Sequence, residues 1–378
     1  MAVLPHPDDA DHMRAALALA RRGIGNTWPN PSVGCVVVKD GRVVGRAVTM
    51  PGGRPHAEPI ALDRAGPAAR GATVYVTLEP CCHWGRTPPC TEALVQAGVA
   101  RVVIARRDPD PRVDGAGIAR LRAAGIDVTE GMLETEAGEI IGGFASRLWK
   151  ARPLVTLKLA STLDGRIATG RGESRWITGP VARRAAHALR GRHDAVMVGV
   201  GTVAADDPEL TCRIPGFRPN PVVRVIADSH LRTSLTARLV ATVIEAPTWM
   251  LIRETADPDR RRAFAEAGVE LIEVADGPVG VDLRDALRHL ATAGLTRVLV
   301  EGGAQLAASL LRERLVDRIA WFHAPGVIGA DGWPAVQGFG VVQLEGMPRF
   351  RRRSSIRLGD DMLTEFDQAG SATDDGIH

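Results

Sequence analysis

From residue 33 to residue 131, strand-length apolar runs take turns with helix-spaced ones, and that alternation leaves few folds open to the chain. Val33 to Val38 and Arg42 to Ala47 are two such runs joined by Asp40-Gly41, a dipeptide suited to a tight hairpin because glycine tolerates positive φ. Ahead of them, residues 8–24 place Met13, Ala16, Leu17, Ala20 and Ile24 at helical spacing behind acids suited to a helix start. The alternation continues with a helix from about Ala57, a strand from Ala72 to Leu78 and a helix from Thr91. A strand from Val99 to Ala105, a helix from Gly115 and a strand from Ile126 to Gly131 complete it. A hairpin leading into repeated helix–strand units predicts one sheet covered by helices, an α/β fold.

A second beginning follows a stretch of mixed character, GGFASRLWKARP, where LVTLKLAS at 154–161 reads as a strand. Strands are expected near 195–201, 221–228, 248–252, 269–274, 297–301 and 317–323. Helices are expected at about 180–190, from 258, and near 282–293 and 304–314, so the second half is also α/β. We therefore expect domains at 1–148 and 149–367, with a small polar tail at 368–378 that is disordered. The length of 378 residues agrees with two domains at roughly 150 residues each. No repeat period stands out, so duplication is not expected.

Charge and composition exclude several partners. Lys and Arg exceed Asp and Glu by 47 to 44, too small a surplus for a broad phosphate-binding face, and aromatics at 4% offer few rings for stacking bases. Binding to nucleic acid is disfavoured. The N-terminus carries acids where a secretion signal carries a basic end and an apolar core, and no uncharged apolar run reaches a membrane span. Five cysteines, three of them within ten positions, suit metal binding in a reducing compartment better than a disulfide framework. The expected location is the cytoplasm, away from membranes.

The residues that carry chemistry are Pro55-His56-Ala57-Glu58 and, about twenty positions on, Pro80-Cys81-Cys82-His83-Trp84-Gly85-Arg86-Thr87-Pro88-Pro89-Cys90. One imidazole and two thiolates, His56, Cys81 and Cys90, are ligands zinc prefers, and three of them leave a tetrahedral position open for water. Zinc lowers the pKa of such a water to about 7, and a carboxylate beside the metal can shuttle its proton. Glu58, two residues after His56, is placed to do that. The His-x-Glu and Pro-Cys…Cys pattern is that of zinc deaminases, which replace a ring amino group by oxygen. A closed structural site would add Cys82 as a fourth ligand, but adjacent cysteines cannot easily aim both sulfurs at one ion, and such a site has no use for Glu58. Cys35 and Cys212 read as small buried residues or incidental thiols.

Eight residues separate Cys81 from Cys90, where nucleic-acid and nucleoside deaminases usually have two. The stretch PCCHWGRTPPC, with NPSVGCVVV at 30–38 and PHAE at 55–58, resembles the deaminase half of the bifunctional deaminase/reductase family of riboflavin biosynthesis, and the resemblance runs to about residue 366. It implies an N-terminal cytidine-deaminase-like αβα domain and a C-terminal dihydrofolate-reductase-like α/β domain. It also implies small-molecule substrates, phosphoribosylaminopyrimidines, and a homodimer or higher homo-oligomer formed through the reductase half. By the same resemblance Asn30, His83 and Arg86 hold the aminopyrimidine and its ribosyl phosphate; a guanidinium suits phosphate because its planar fork donates two parallel hydrogen bonds. Thr49 stands where some members carry a histidine, seven residues before His56.

In the second half, Gly199-Val200-Gly201-Thr202-Val203-Ala204 fits a dinucleotide fingerprint superficially, but Asp206-Asp207-Pro208 should interrupt the helix that such a site needs. Glu301-Gly302-Gly303, a strand ending in two glycines before a helix, exposes backbone N–H groups better suited to a phosphate. The resemblance to the family's reductase half implies NADPH as cofactor. It carries Ala160, Trp176, Thr202, Asp206 and Gly303 over as cofactor contacts, and Ser174, Arg190, Leu210, Arg213 and Glu301 as substrate contacts. Lys158 and Asp164 lie in the same motif-rich stretch. Two other classes remain open at this point: a nucleic-acid-editing zinc deaminase and a non-catalytic zinc module.

Overall fold

The computed structural model describes residues 8–369 and falls into two compact units that divide the chain at Lys150 and Ala151. In the first, α1 (Asp9–Gly23) precedes a hairpin of β1 (Gly34–Lys39) and β2 (Arg42–Val48). Asp40 and Gly41 take φ of 49° and 72°, the two positive values that a two-residue hairpin turn requires. There follow α2 (Ala57–Ala65), β3 (Thr73–Val76), α3 (Cys90–Ala97), β4 (Arg101–Ile104), α4 (Ala116–Ala123), β5 (Asp127–Glu130) and α5 (Glu134–Lys150). The sheet order is β2-β1-β3-β4-β5; β1 is antiparallel to both neighbours, and β3, β4 and β5 are parallel.

Because β1 is apolar on both faces, it needs cover on both. Cys35 and Val37 pack with Ala57 and Ala61 of α2, Leu94 of α3 and Leu121 of α4. Val36 and Val38 pack with Met13 and Leu17 of α1 and with Ala137 and Ile140 of α5. The result is the αβα layering the sequence predicts. α1 lies so close to the sheet that a Cβ on Gly34 would stand 1.9 Å from the Ala16 carbonyl oxygen. Gly34→Ala must push helix and sheet apart, and we expect it to destabilise the first unit by about 2 kcal/mol, read as a lower urea midpoint. An unchanged midpoint would mean that α1 gives way freely.

The α5 helix is not legible in the sequence pattern. Gly142-Gly143 weakens the helical reading of its C-terminal half, yet Ala137, Ile140, Ile141 and Ala145 are buried at helical spacing, so packing overrides propensity. The expected end of the first domain at residue 148 falls in the last turn of this helix.

The sheet of the second unit runs in the order Glu270–Glu273, Thr248–Ile252, Val223–Ala227, Ala195–Gly199, Arg297–Glu301, Leu154–Ser161, Arg318–His323, Asp361–Gln368 and Phe350–Leu358. The first seven strands are parallel; the last two form an antiparallel hairpin on the edge. Arg297–Glu301 is buried along its whole length, as a central strand covered on both faces must be. The edge hairpin escapes the sequence reading because FRRRSSIRL is charged and mostly exposed, with no apolar face to alternate. Gln368 closes that hairpin, its N–H donating to the Asp317 carbonyl, so the expected disordered tail does not begin there. Residues 370–378 of that tail lie outside the described residues. A helix does form at this motif, over Val200–Asp206, with Gly199 ahead of it and Gly201 in its first turn. It stops after seven residues, where Asp207 turns left-handed ahead of Pro208.

Candidate active sites

His56 precedes α2 and Glu58 sits in its first turn, Cys81 follows β3, and Cys90 opens α3, so three successive elements deliver the site. The His56 Nδ1 lies 3.7 Å from Cys81 Sγ and 3.3 Å from Cys90 Sγ, and the three ligand atoms all fall within 4.8 Å of one another. The Cys90 backbone N–H donates to Cys81 Sγ at 3.3 Å. Hydrogen bonding from Cys90 outweighs burial at Cys81 and, with His56 adjacent, holds that thiol well below its ordinary pKa, toward the thiolate a metal takes. Glu58 is 3% exposed, burial pushes its carboxyl up, and its Oε2 has no hydrogen-bond partner. Two sulfurs and a nitrogen beside an orphaned buried carboxylate oxygen fit zinc with an open position. Cys82 is not a fourth ligand: its sulfur faces the Arg112 carbonyl at 3.7 Å.

A cavity of about 460 Å³ opens on His56, Glu58 and Cys81, and Asn30, His83 and Arg86 also line it. Asn30 is fixed by donating Nδ2–H to the Gly53 carbonyl at 2.9 Å. Thr49 also lines the cavity, but its hydroxyl is spent on the backbone, accepting from Val33 N–H at 3.1 Å.

In the second unit, adjacent strands pair Glu301 with Lys158 in register. Arg190 donates Nε–H and Nη2–H to the two Glu301 oxygens at 2.6 and 2.9 Å, and Nη1–H to the Thr211 carbonyl at 3.0 Å. Burial opposes charge on Glu301, but Arg190 overcomes it and holds the carboxyl at about 2. Burial pushes the Lys158 amine down, against the pull of Glu301. Arg213 extends the group through His187, its Nε 3.4 Å from His187 Nε2. Thr202 meets the glycine turn: a Cβ on Gly302 or Gly303 would stand 3.4 or 3.5 Å from its hydroxyl oxygen. Gly303, at φ 85°, a value glycine takes without strain, precedes the helix Ala304–Arg312, and the N–H groups of that helix start suit a phosphate. Leu210 is buried with φ 53°, and Ala160 is half-buried near the end of its strand. Trp176 is 69% exposed, with the Arg183 guanidinium 4.4 Å over its ring. Ser174 closes a backbone turn with Ile177, and Asp206 ends its short helix with its carbonyl 3.4 Å from Arg175 Nη2. Asp164 pins a loop instead of facing this group, accepting from Thr162 Oγ1 and from the N–H groups of Ile328 and Gly329.

Residues 6–106 match the pattern of the family described as the cytidine and deoxycytidylate deaminase zinc-binding region, and residues 153–364 match the RibD C-terminal domain. The riboflavin biosynthesis protein RibD of Aquifex aeolicus is 41% identical over 358 residues, covering 95% of this chain and 98% of that protein. The chain belongs to the RibD family. The RibD protein of Escherichia coli K12 is 40% identical over 365 residues, or 94% of this chain and 98% of that one. A RibD structure from Acinetobacter baumannii matches with a TM-score of 0.85 at 37% identity, covering 96% and 99% of the two chains. A Thermotoga maritima structure, described as a diaminohydroxyphosphoribosylaminopyrimidine deaminase/5-amino-6-(5-phosphoribosylamino)uracil reductase, matches at 0.83 and 35% identity, covering 95% and 98%. The two halves of this RibD chain are thus a cytidine-deaminase-like αβα unit and a dihydrofolate-reductase-like α/β unit.

Several residues on the cavity of this RibD chain escape the sequence reading, among them the charged Arg54, Asp108, Asp110, Arg112 and Arg147. Asp108 follows the C-terminal end of the parallel strand β4, the end where open α/β sheets bind ligands, and that position is the signal that could have found it. Burial pushes its carboxyl up to about 7. Arg147 stands on α5, the helix the pattern hides. Among the described residues no helix is long and apolar enough to cross a membrane.

Proposed function

We propose that this chain is a bifunctional enzyme of riboflavin biosynthesis. Its first domain, 1–148, deaminates 2,5-diamino-6-(5-phosphoribosylamino)pyrimidin-4-one, and its second, 149–367, reduces 5-amino-6-(5-phosphoribosylamino)uracil to the ribitylamino form with NADPH. The observation that carries the reading is the grouping of His56, Cys81 and Cys90 beside a cavity that His56, Cys81 and a buried Glu58 with a partnerless oxygen line, in a RibD chain with both halves present.

Held by His56, Cys81 and Cys90, zinc supplies the Lewis acidity that activates water at neutral pH. Glu58 moves the protons: it takes one from the water, gives it to the ring nitrogen, and assists departure of ammonia. Asn30, His83 and Arg86 orient the pyrimidine and its ribosyl phosphate. In the second domain NADPH supplies the hydride. Ala160, Trp176, Thr202, Asp206 and Gly303 hold the cofactor. Ser174, Arg190, Leu210, Arg213 and Glu301 hold the opened sugar and its phosphate in reach of it, and positioning is the main work left to the protein. We extend the reading to a cytoplasmic enzyme that forms a homodimer or larger oligomer through the reductase half, which light scattering on the eluted protein measures.

A coupled assay tests the function. Zinc-replete protein given the diaminopyrimidine substrate should release ammonia and then consume NADPH, and the deaminated substrate alone should also consume it. No ammonia from the first and no NADPH oxidation with the second would refute both halves of the reading.

A further inference from the structure

The first unit's cavity carries, beside Arg86, a second arginine to which the reading above gives no role. Arg54 and Arg86 both line it. The acids nearby are committed elsewhere: Glu79 accepts from the N–H groups of Asp108, Gly115 and Ile118 at 3.3, 2.9 and 3.1 Å. Asp110 is gripped by the Arg112 guanidinium, whose Nε lies 3.0 Å from Oδ1. Arg86 makes no hydrogen bond or ion pair with any described residue, and Arg54 touches no carboxylate among them. Its side-chain bond is from Nη1–H to Thr87 Oγ1 at 2.6 Å, which leaves Nε and Nη2 to donate.

The backbone shows that the two arginines belong together. A Cβ on Gly85 would stand 3.1 Å from Arg54 Nη2, so the residue next to Arg86 comes up against the Arg54 guanidinium. Thr87, on the other side of Arg86, is the residue Arg54 bonds. Arg86 is therefore bracketed by two contacts to Arg54. Two guanidiniums that line one cavity and pair with no carboxylate among the described residues are like charges, and an anion with several oxygens offsets them while accepting from both planar forks.

We propose that Arg54 is a second phosphate-binding residue of the deaminase site, forming with Arg86 a two-guanidinium clamp on the ribosyl 5-phosphate of the substrate. The proposal rests on the deaminase reading above, and the experiment separates the two. Deamination kinetics are measured with the phosphoribosyl substrate and with its dephosphorylated riboside. Arg54→Gln should raise KM for the phosphorylated substrate by about 10- to 100-fold, with kcat little changed and the riboside hardly affected. Arg54→Lys, which keeps the charge but not the fork, should fall between. Thr87→Val, which removes the tie and keeps both guanidiniums, should raise KM by less than about 3-fold.

An equal rise on both substrates, reproduced by Thr87→Val, would reduce Arg54 to a support for the loop and overturn the clamp. So would an unchanged KM. Zinc content is measured in each variant because Arg54 is two residues from His56; if the glutamine variant loses zinc, the lysine variant decides. Calorimetric titration of ribose 5-phosphate into wild type and Arg54→Gln reads the clamp without turnover. If the wild type does not deaminate but the variant binds ribose 5-phosphate about tenfold more weakly, the substrate reading fails and the anion clamp stands. If the wild type deaminates and both proteins bind ribose 5-phosphate equally, the clamp alone is wrong.

Discussion

Glu58→Gln is expected to lower deamination by about 10²- to 10⁴-fold, the range that loss of a positioned acid–base group gives, while zinc content and reduction of the deaminated substrate stay at wild-type levels. Glutamine has the shape of glutamate but cannot carry a proton between water and ring nitrogen. The substitution breaks no hydrogen bond at Oε2, because that atom has no partner, so the first turn of α2 and the placement of His56 should survive. The reductase unit has its own core and its own sheet, and the change lies in neither. Ammonia release, metal analysis and NADPH oxidation on the deaminated substrate measure the three quantities separately. Activity within tenfold of wild type would remove Glu58 from proton transfer and make Asp108, a buried carboxyl on the cavity that burial pushes up to about 7, the residue to replace next.

How far the sequence reaches can be judged from particular residues. The hairpin at Asp40-Gly41, the alternation of buried strands and covering helices, and the three candidate zinc ligands are local signals: a turn residue, a period, a ligand type at fixed spacing. Each survives without knowledge of the packing. What the sequence hides depends on tertiary context. α5 contains adjacent glycines, and only its burial between neighbours makes it a helix. The edge strand Phe350–Leu358 has no buried face to reveal it. Arg54 and Asp108 sit far from each other in sequence and join the site because the loop between β2 and α2 and the end of β4 face one cavity. In the second half the resemblance supplies the residues, and the fold adds a bond between two of them, Arg190 and Glu301.

That pair sets the other large effect. Glu301→Gln is expected to destabilise the second unit by about 3 kcal/mol at neutral pH, because it leaves the Arg190 guanidinium buried against a neutral amide. The pH dependence follows from the direction of the shift. Burial favours the protonated acid, but Arg190 prevails and holds Glu301 at about 2, below the roughly 4.3 of an unfolded glutamate. The folded value is depressed, so the stabilisation is complete above the unfolded value and disappears as pH falls toward the folded one. Urea midpoints of wild type and variant should therefore differ most above about pH 5 and converge as the pH drops below 4. The substitution also removes the charge that steadies the Lys158 amine, so reduction should fall with stability corrected for, measured at a urea-free temperature where both proteins are folded. Replacing Arg190 as well, by methionine, should recover part of the lost stability, since the orphaned cation goes with it. If Glu301→Gln were as stable as wild type at every pH, the pair would contribute nothing net to the fold. Arg190 and Glu301 would then be held together for the substrate, and the loss of reduction alone would measure their worth.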